Sequence, residues 1–357
     1  MEINTALYYQ SALALKMPYT PIAHIAGFEI RLGKQRYFFR SGQTPFNCNS
    51  SSNLSSNKYC ANKILMAAGF PMPQATAFKK SEFKKQKAEL IASFKFPLVV
   101  KPTLGTCLGK DVLCNITTVE QLETYMNKCY RKHKFLTIEE FHANLNSYRV
   151  LVFYNKVIGV VQRNPARVIG DGIHSIQALI DLSNITRKEL KKTTSLGPIK
   201  VDEEIHIRLK ELGMTLDTIP KDKEIVVLCY TCNSTRGGTM ESLGKKICKE
   251  NAKLLCKAAS TLNLNLVGFD VLCEDILIPI ESSRGVIIEA NHSPDVTIHE
   301  HPLTGIKTRV TRRMLWRLIL KHPIAFLLRP NQHTSGSVYF KFSLAILALF
   351  GGLLLIT

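Results

Sequence analysis

Apolar positions along the chain follow both strand and helix periods, so strands and helices interleave from end to end. Residues 28–40, FEIRLGKQRYFFR, read as a hairpin turning at Gly33-Lys34. The polar run 47–57, NCNSSSNLSSN, reads as a loop. Lys58 then opens a helix that stops at Gly69, with Pro71 and Pro73 beyond it. FPLVVKP at 96–102 predicts a strand, 119–132 a helix, and FLTIEEF at 135–141 another strand. Residues 148–161 read as two strands around Asn155-Lys156. Helices are expected over 174–182, 203–212 and 243–262, and a strand over 225–232.

The chain is organised around 268–294, GFDVLCEDILIPIESSRGVIIEANHSP. Two short apolar strands are predicted there, 266–273 and 285–290, joined by a turn. Side chains two apart on a strand share a face, so Glu289 and Asn291 can point at one spot. If the strands pair, Asp270 joins them, and three oxygen donors suit a hard cation such as Mg²⁺. The same residues also fit a hairpin whose acids face water.

At 357 residues the chain is long enough for two or three packed lobes. Apolar content of 45% and charged content of 21% describe a folded protein and exclude a disordered one. The net charge of +19 suits an anionic ligand, a nucleic acid or an anionic membrane surface. Aromatic residues do not interleave with the basic runs in the way a nucleic-acid platform needs, which ranks that partner low. The ten cysteines lack framework spacing and MEINTALYYQ has no apolar core, so reduced thiols in the cytoplasm are expected. Cys229-Tyr-Thr-Cys232 has redox or zinc spacing, but on a strand residues three apart face opposite sides, so the pair reads as structural.

Two loops carry candidate phosphate chemistry. Lys101 ends the 96–102 strand, and TLGTCLGKDV follows, with Gly105 and Gly109 allowing close backbone approach and Lys110 adding charge. Glycine serves ordinary turns as well, so this signal is weak by itself. In Asn233-Ser-Thr-Arg236-Gly237-Gly238-Thr239, backbone amides can bind an anion that Arg236 neutralises.

Six motifs in order, FPLVVKP, IEEF, YRVLVFYNKVIGVVQRNPARVIGDGIHSI, NSTRGGT, GFDVLCEDI and GVIIEANHSP, resemble the ATP-grasp ligases. The likeness spans roughly 58–301 and is nearest to the ATP-grasp portion of cyanophycin synthetases, with D-alanine–D-alanine ligases and glutathione synthetases as cousins. It implies an α+β ATP-grasp fold, two α/β subdomains clamping a nucleotide, with a small N-terminal lobe and an apolar C-terminal helix. The domains then run 1–57, 58–306, a basic amphipathic linker 307–340, and a membrane helix 341–357. By the same resemblance Lys58 and Lys101 hold phosphates, Gly105, Gly109 and Lys110 cover them, and Glu139, Glu140 and Phe141 form the adenine hinge. Asp270, Glu289 and Asn291 match the Mg²⁺ ligands, while Arg149, Arg167, Asn233 and Arg236 match groups that serve the γ-phosphate, the substrate carboxylate or the catalytic loop. The implied cofactors are ATP and two Mg²⁺, with Mn²⁺ as a substitute. The implied reaction joins a carboxylate to an amine of an amino acid or peptide through an acyl phosphate; a homo-oligomer is compatible with it.

The sequence departs from the family pattern at Asp111, where relatives usually carry glycine, at Asn146-Ser147, and at Cys229-Tyr230, where cyanophycin-type members have arginines. The Mur-ligase-like half of those synthetases is also missing, which argues against cyanophycin polymerisation. These departures leave a second reading open, a lapsed ATP-grasp module that binds nucleotide while tethered to a membrane. Residues 307–330 alternate apolar and basic positions at helical spacing, as a membrane-surface helix or a closing helix of the domain would. FSLAILALFGGLLLI at 342–356 is short of the roughly 20 residues that span a bilayer, yet too apolar for a surface, so a membrane anchor is expected.

Overall fold

The computed structural model describes residues 2–104, 111–190 and 196–328. The chain separates into two units, one of residues 2–45 with 309–328, the other of residues 46–308.

The first unit begins with α1 (Ile3–Ala14), whose first turn is capped by the Glu2 carboxylate accepting from the Thr5 amide. An antiparallel sheet of β1 (Tyr19–Ile22), β2 (Gly27–Leu32) and β3 (Gln35–Phe39) follows. β2 and β3 are the expected hairpin. Gly33 turns it at φ +62°, backbone that costs glycine no Cβ clash. Tyr8 of α1 leans on Phe39, which stacks on Phe28 at 5.0 Å.

The second unit opens with α2 (Asn49–Ser56), where the Ser/Asn-rich run predicted a loop. Tertiary bonds outweigh the weak propensity of that run. Asn47 donates to the carbonyls of Leu266 and His292, at 2.7 and 3.0 Å, and accepts from the amides of Asn265 and Leu266. Ser51 and Ser55, four apart, are then buried on one side of the helix. In α3 (Lys58–Ala67), the Asn57 side chain caps the first turn and sets Lys58 at its start.

Next come β4 (Ala75–Lys79), α4 (Lys80–Ser93), β5 (Leu98–Pro102), β6 (Leu113–Ile116), α5 (Val119–Cys129) and β7 (Phe135–Glu140). These strands make an antiparallel sheet ordered β4-β7-β5-β6, whose core includes Phe78, Val100, Leu122 and Met126. β8 (Asn146–Phe153) and β9 (Lys156–Asn164) are the two expected strands around Asn155-Lys156. An excursion follows through β10 (Arg167–Ile169), α6 (Ile176–Leu190), α7 (Glu203–Glu211) and β11 (Ile225–Val227). The unit closes with β12 (Thr239–Gly244), α8 (Lys249–Thr261), β13 (Leu266–Cys273), β14 (Val286–Asn291), α9 (Thr297–Glu300) and β15 (Thr304–Gly305). Its larger sheet is ordered β14-β13-β8-β9-β12-β15. One face of that sheet, with Val150, Val152, Phe269 and Val271, packs in one core with Leu255, Ala258 and Ala259 of α8. The other face carries Arg149, Arg163 and Asp270.

Several expected bounds move. The strand over 225–232 ends at Val227, because the amides of Tyr230 and Thr231 bond the Glu204 carboxylate, each at 2.9 Å, in place of a neighbouring strand. The helix over 243–262 begins only at Lys249, since β12 pairs with β9 and β15 up to Gly244. The helix over 174–182 runs on to Leu190.

The first unit is completed by α10 (Val310–Lys321) and α11 (Pro323–Leu327). Thr311 shares a hydrogen bond with Ser11 at 2.7 Å, and the Tyr8 hydroxyl donates to Met314 Sδ. The stretch read as a linker thus holds a packed helix of the N-terminal lobe, and that lobe ends near residue 45 where 57 was expected. The apolar stretch 342–356 and the expected C-terminal helix lie outside the described residues. Among those described, no helix is long and apolar enough to cross a membrane.

Candidate active site

The expected hairpin forms, and its register sets the site. β13 and β14 pair antiparallel with Asp270 opposite Glu289 and Gly268 opposite Asn291. On its other edge Asp270 lies opposite Arg149 of β8. A row of charge therefore crosses three adjacent strands, Glu289–Asp270–Arg149, and their alternation puts it on the face away from the α8 core. Gly268 makes room for it, since a Cβ there would stand 3.0 Å from Arg149 Cδ and from Pro294 Cβ.

Arg149 grips the buried Asp270 carboxylate through two nitrogens, and Arg163 of β9 adds a contact at 3.1 Å. Burial raises the Asp270 pKa, but these two guanidiniums outweigh it and hold the carboxyl below its usual range. At the row's end the Lys58 ammonium stands 3.6 Å from Glu289. Lys101 reaches from β5 to Glu139 of β7 at 2.7 Å, with side chains only 10% and 5% exposed. Burial pulls the Lys101 pKa down; Glu139 first, then Glu289, lift it above normal, so it stays charged. Lys58, Lys101, Glu139, Arg149, Asp270 and Glu289 are thus tied into one charged region.

Glu140 ends β7 and accepts from the Gln74 amide, and Phe141 meets Tyr230 edge to face at 5.0 Å. The Tyr230 hydroxyl is held by Glu211, Arg208 and Asn115, so one of the two departures from arginine became a hydrogen-bonded brace beside the expected hinge. Asn291 donates its amide to the Gly268 carbonyl at 3.3 Å, which leaves Oδ1 as its donor toward a cation. Asp270, Glu289 and Asn291 are oxygen donors on adjacent strands and fit Mg²⁺ chemically, although Asp270 is held by guanidinium in this arrangement.

Other expected residues stand apart. Arg167 lies exposed on β10 and, among the described residues, pairs with none of these acids. Asn233 caps its own turn by accepting from Thr235. Arg236 is not available for an anion in this structure, because Asp202 and Glu204 both claim it, the latter at 2.8 Å. It lines a cavity of about 590 Å³ with Lys128, Lys132, Lys200, Asp202 and Glu203, away from the Asp270 row. Gly105, Gly109 and Lys110 lie outside the described residues. Asp111, which follows them, sits at φ +56°, which explains a glycine in relatives. Its carboxylate turns to His133 at 2.8 Å and Lys132 at 3.5 Å.

Arg163 was missed by the sequence reading, although the β8–β9 hairpin contained the signal. Pairing around Asn155-Lys156 puts Arg149 opposite Val161, and Arg163, two residues on, shares its face. Cys229 and Cys232 lie beyond the end of β11, so the opposite-face argument does not apply. Burial keeps both protonated instead, with pKa values pushed up to about 12 and 11.

His299 on α9 is fully buried, and neither ring nitrogen has a hydrogen-bond partner among the described residues. It packs so tightly on Gly159 that a Cβ there would lie 2.5 Å from Nδ1. Burial first, then the Arg149 charge, press its pKa down to about 3. Between pH 6.5 and about 3 the unfolded chain binds a proton that folded His299 refuses, so stability falls as pH drops through this window. His299→Leu should flatten that slope by up to about 1.4 kcal/mol per pH unit. Denaturant midpoints of both proteins at pH 7 and 5 test this; parallel acid limbs would show that His299 is not the group responsible.

Residues 55–168 match the RimK-like ATP-grasp domain. Over that stretch, about a third of the chain, the sequence is similar to this family. Cyanophycin synthetase of Crocosphaera subtropica is 28% identical over 310 residues, covering 86% of this chain and 35% of that protein. The glutathione biosynthesis bifunctional protein GshAB of Enterococcus faecalis is 29% identical over 265 residues, covering 72% and 34%. The chain thus spans about a third of the length of these relatives. A crystal structure of a bifunctional glutathione synthetase from Pasteurella multocida shares the fold, with a TM-score of 0.61 at 23% identity over 90% of this chain and 44% of that one. ATP-grasp ligases use ATP and Mg²⁺. In the unit 46–308, the Lys101–Glu139 pair lies on the four-stranded sheet and the Asp270 row on the six-stranded one.

Proposed function

We propose that the protein is an ATP- and Mg²⁺-dependent ligase that joins a carboxylate to an amine on an amino acid or peptide, through an acyl phosphate. The observation that carries this reading is the convergence of Lys58, Lys101, Arg149 and Arg163 on the Asp270–Glu289 row. A fold requires no such set; phosphoryl transfer to a carboxylate requires several cations around one anionic centre. Lys58 and Lys101 hold the nucleotide phosphates, and Glu140 and Phe141 flank the base. Asp270, Glu289 and Asn291 hold Mg²⁺, which when bound offsets charge on the β- and γ-phosphates. Arg149 and Arg163 steady the acyl phosphate and the oxyanion formed on attack by the amine. Asn233 and Arg236 keep the glycine loop in shape, Arg236 through its two carboxylates.

The alternative of a lapsed nucleotide binder draws support from Arg149, Arg163 and Arg236 all being engaged by carboxylates. A membrane tether through 342–356 belongs with either reading and rests on sequence alone. A thermal melt with and without Mg-ATP, followed by ADP release over amino acids and dipeptides, decides between the two. Nucleotide at about a hundred times its Kd should stabilise the fold by roughly 2.7 kcal/mol. Mg²⁺-dependent stabilisation with ADP release on one acid–amine pair is expected. Stabilisation without release on any pair would favour the binder, and no stabilisation would overturn both.

A further inference from the structure

α10 has a buried side and an exposed side. One side is a closing helix, with Val310, Met314, Leu315, Leu318 and Ile319 buried. The other side carries Trp316 and Leu320, four apart, at 44% and 66% exposure. α11 and the residue after it add Ile324, Leu327 and Leu328, also exposed. Trp316 and Leu320 are neighbours on the helix surface, and adjoining exposed apolar side chains mark an interaction site more often than scattered ones do.

The charges select the partner. Between Lys307 and Leu328 there is no acid, while Lys307, Arg309, Arg312, Arg313, Arg317 and Lys321 are all basic. Arg313 and Lys321 are exposed beside Trp316 and Leu320. The chain's own apolar stretch 342–356 carries no charge and would gain nothing from this basic rim. A second copy of the same face would bring like charges together. An anionic lipid surface satisfies both features, because phosphate headgroups pair with Arg and Lys while Trp and Leu enter the acyl boundary.

We propose that the outward face of α10 and α11 lies flat on anionic membranes, as an in-plane contact made by the folded unit and independent of any spanning segment. This goes beyond the ligase reading and does not depend on it.

Trp316 is the only tryptophan in the chain, so its fluorescence reports on this face alone. The full-length protein is titrated with vesicles of phosphatidylcholine, with and without phosphatidylglycerol, and with acyl chains brominated in a parallel set. On the anionic vesicles Trp316 emission should shift to the blue and be quenched by bromine, and added salt should weaken the effect. The double variant Arg313→Glu, Lys321→Glu should bind them at least about ten-fold more weakly. Leu320→Ser should weaken binding without changing the melting temperature, since its side chain is exposed.

Three results would overturn the proposal. Trp316 shielded from a soluble quencher without lipid would mean that the tail or a second copy covers the face. Vesicle binding with unmoved Trp316 emission would assign it to residues beyond 328. Equal binding to neutral and anionic vesicles, unaffected by the charge reversals, would remove the lipid-charge basis.

Discussion

Glu289→Gln should lower Mg²⁺-dependent ADP release at least about 100-fold, roughly 2.7 kcal/mol in barrier, and leave the melting temperature nearly unchanged. The two parts of this expectation rest on different observations. Glu289 stands opposite Asp270 in the β13–β14 register, so loss of its charge removes one of two carboxylates from the proposed cation site. Its side chain is 27% exposed and its ion pair with Lys58 spans 3.6 Å, so the fold depends little on it. Steady-state ADP release and a melt without nucleotide test both parts. Full activity in the variant would remove β14 from the metal site. A large drop in melting temperature would make Glu289 a structural residue.

Lys101→Met should destabilise the protein by about 3–5 kcal/mol and abolish the stabilisation by Mg-ATP. Lys101 and Glu139 form a nearly dry pair between neighbouring strands, and methionine would leave the Glu139 carboxylate buried without its cation. The double variant Lys101→Met, Glu139→Gln should recover most of the lost stability, because neither side chain then carries charge. It should not recover nucleotide binding. Denaturant unfolding of the three proteins, with and without Mg-ATP, separates the effects. Nucleotide stabilisation retained in the double variant would show that Lys101 serves the fold alone.

Much of the site was legible because its elements are local. β13 and β14 belong to one short hairpin, and alternation along each strand was enough to bring Asp270 and Glu289 together. Asn57 before Lys58 is an N-cap, so the helix start that presents Lys58 could be read from neighbouring residues. Arg163 was within reach by the same logic, through the β8–β9 register, and was overlooked. The roles expected of Asn233 and Arg236 were not legible, because those depended on where Asp202 and Glu204 would lie.

By itself, then, the sequence determined the β8–β9 and β13–β14 hairpins, the helix start at Lys58 and the row of oxygen donors, all of which follow from side-chain period and capping over a few residues. Only the tertiary structure decided which charges meet. It set Arg163 on Asp270, drew Arg236 to Asp202 and Glu204, and made a helix of 49–56 through the bonds of Asn47 to residues more than 200 positions away. It also joined Ser11 to Thr311 across 300 residues, turning an expected linker into part of the N-terminal lobe. Local preferences are worth tenths of a kcal/mol to about 1 per residue, whereas satisfying a buried carboxylate or amide is worth about 1–3, so distant partners prevail wherever the two compete.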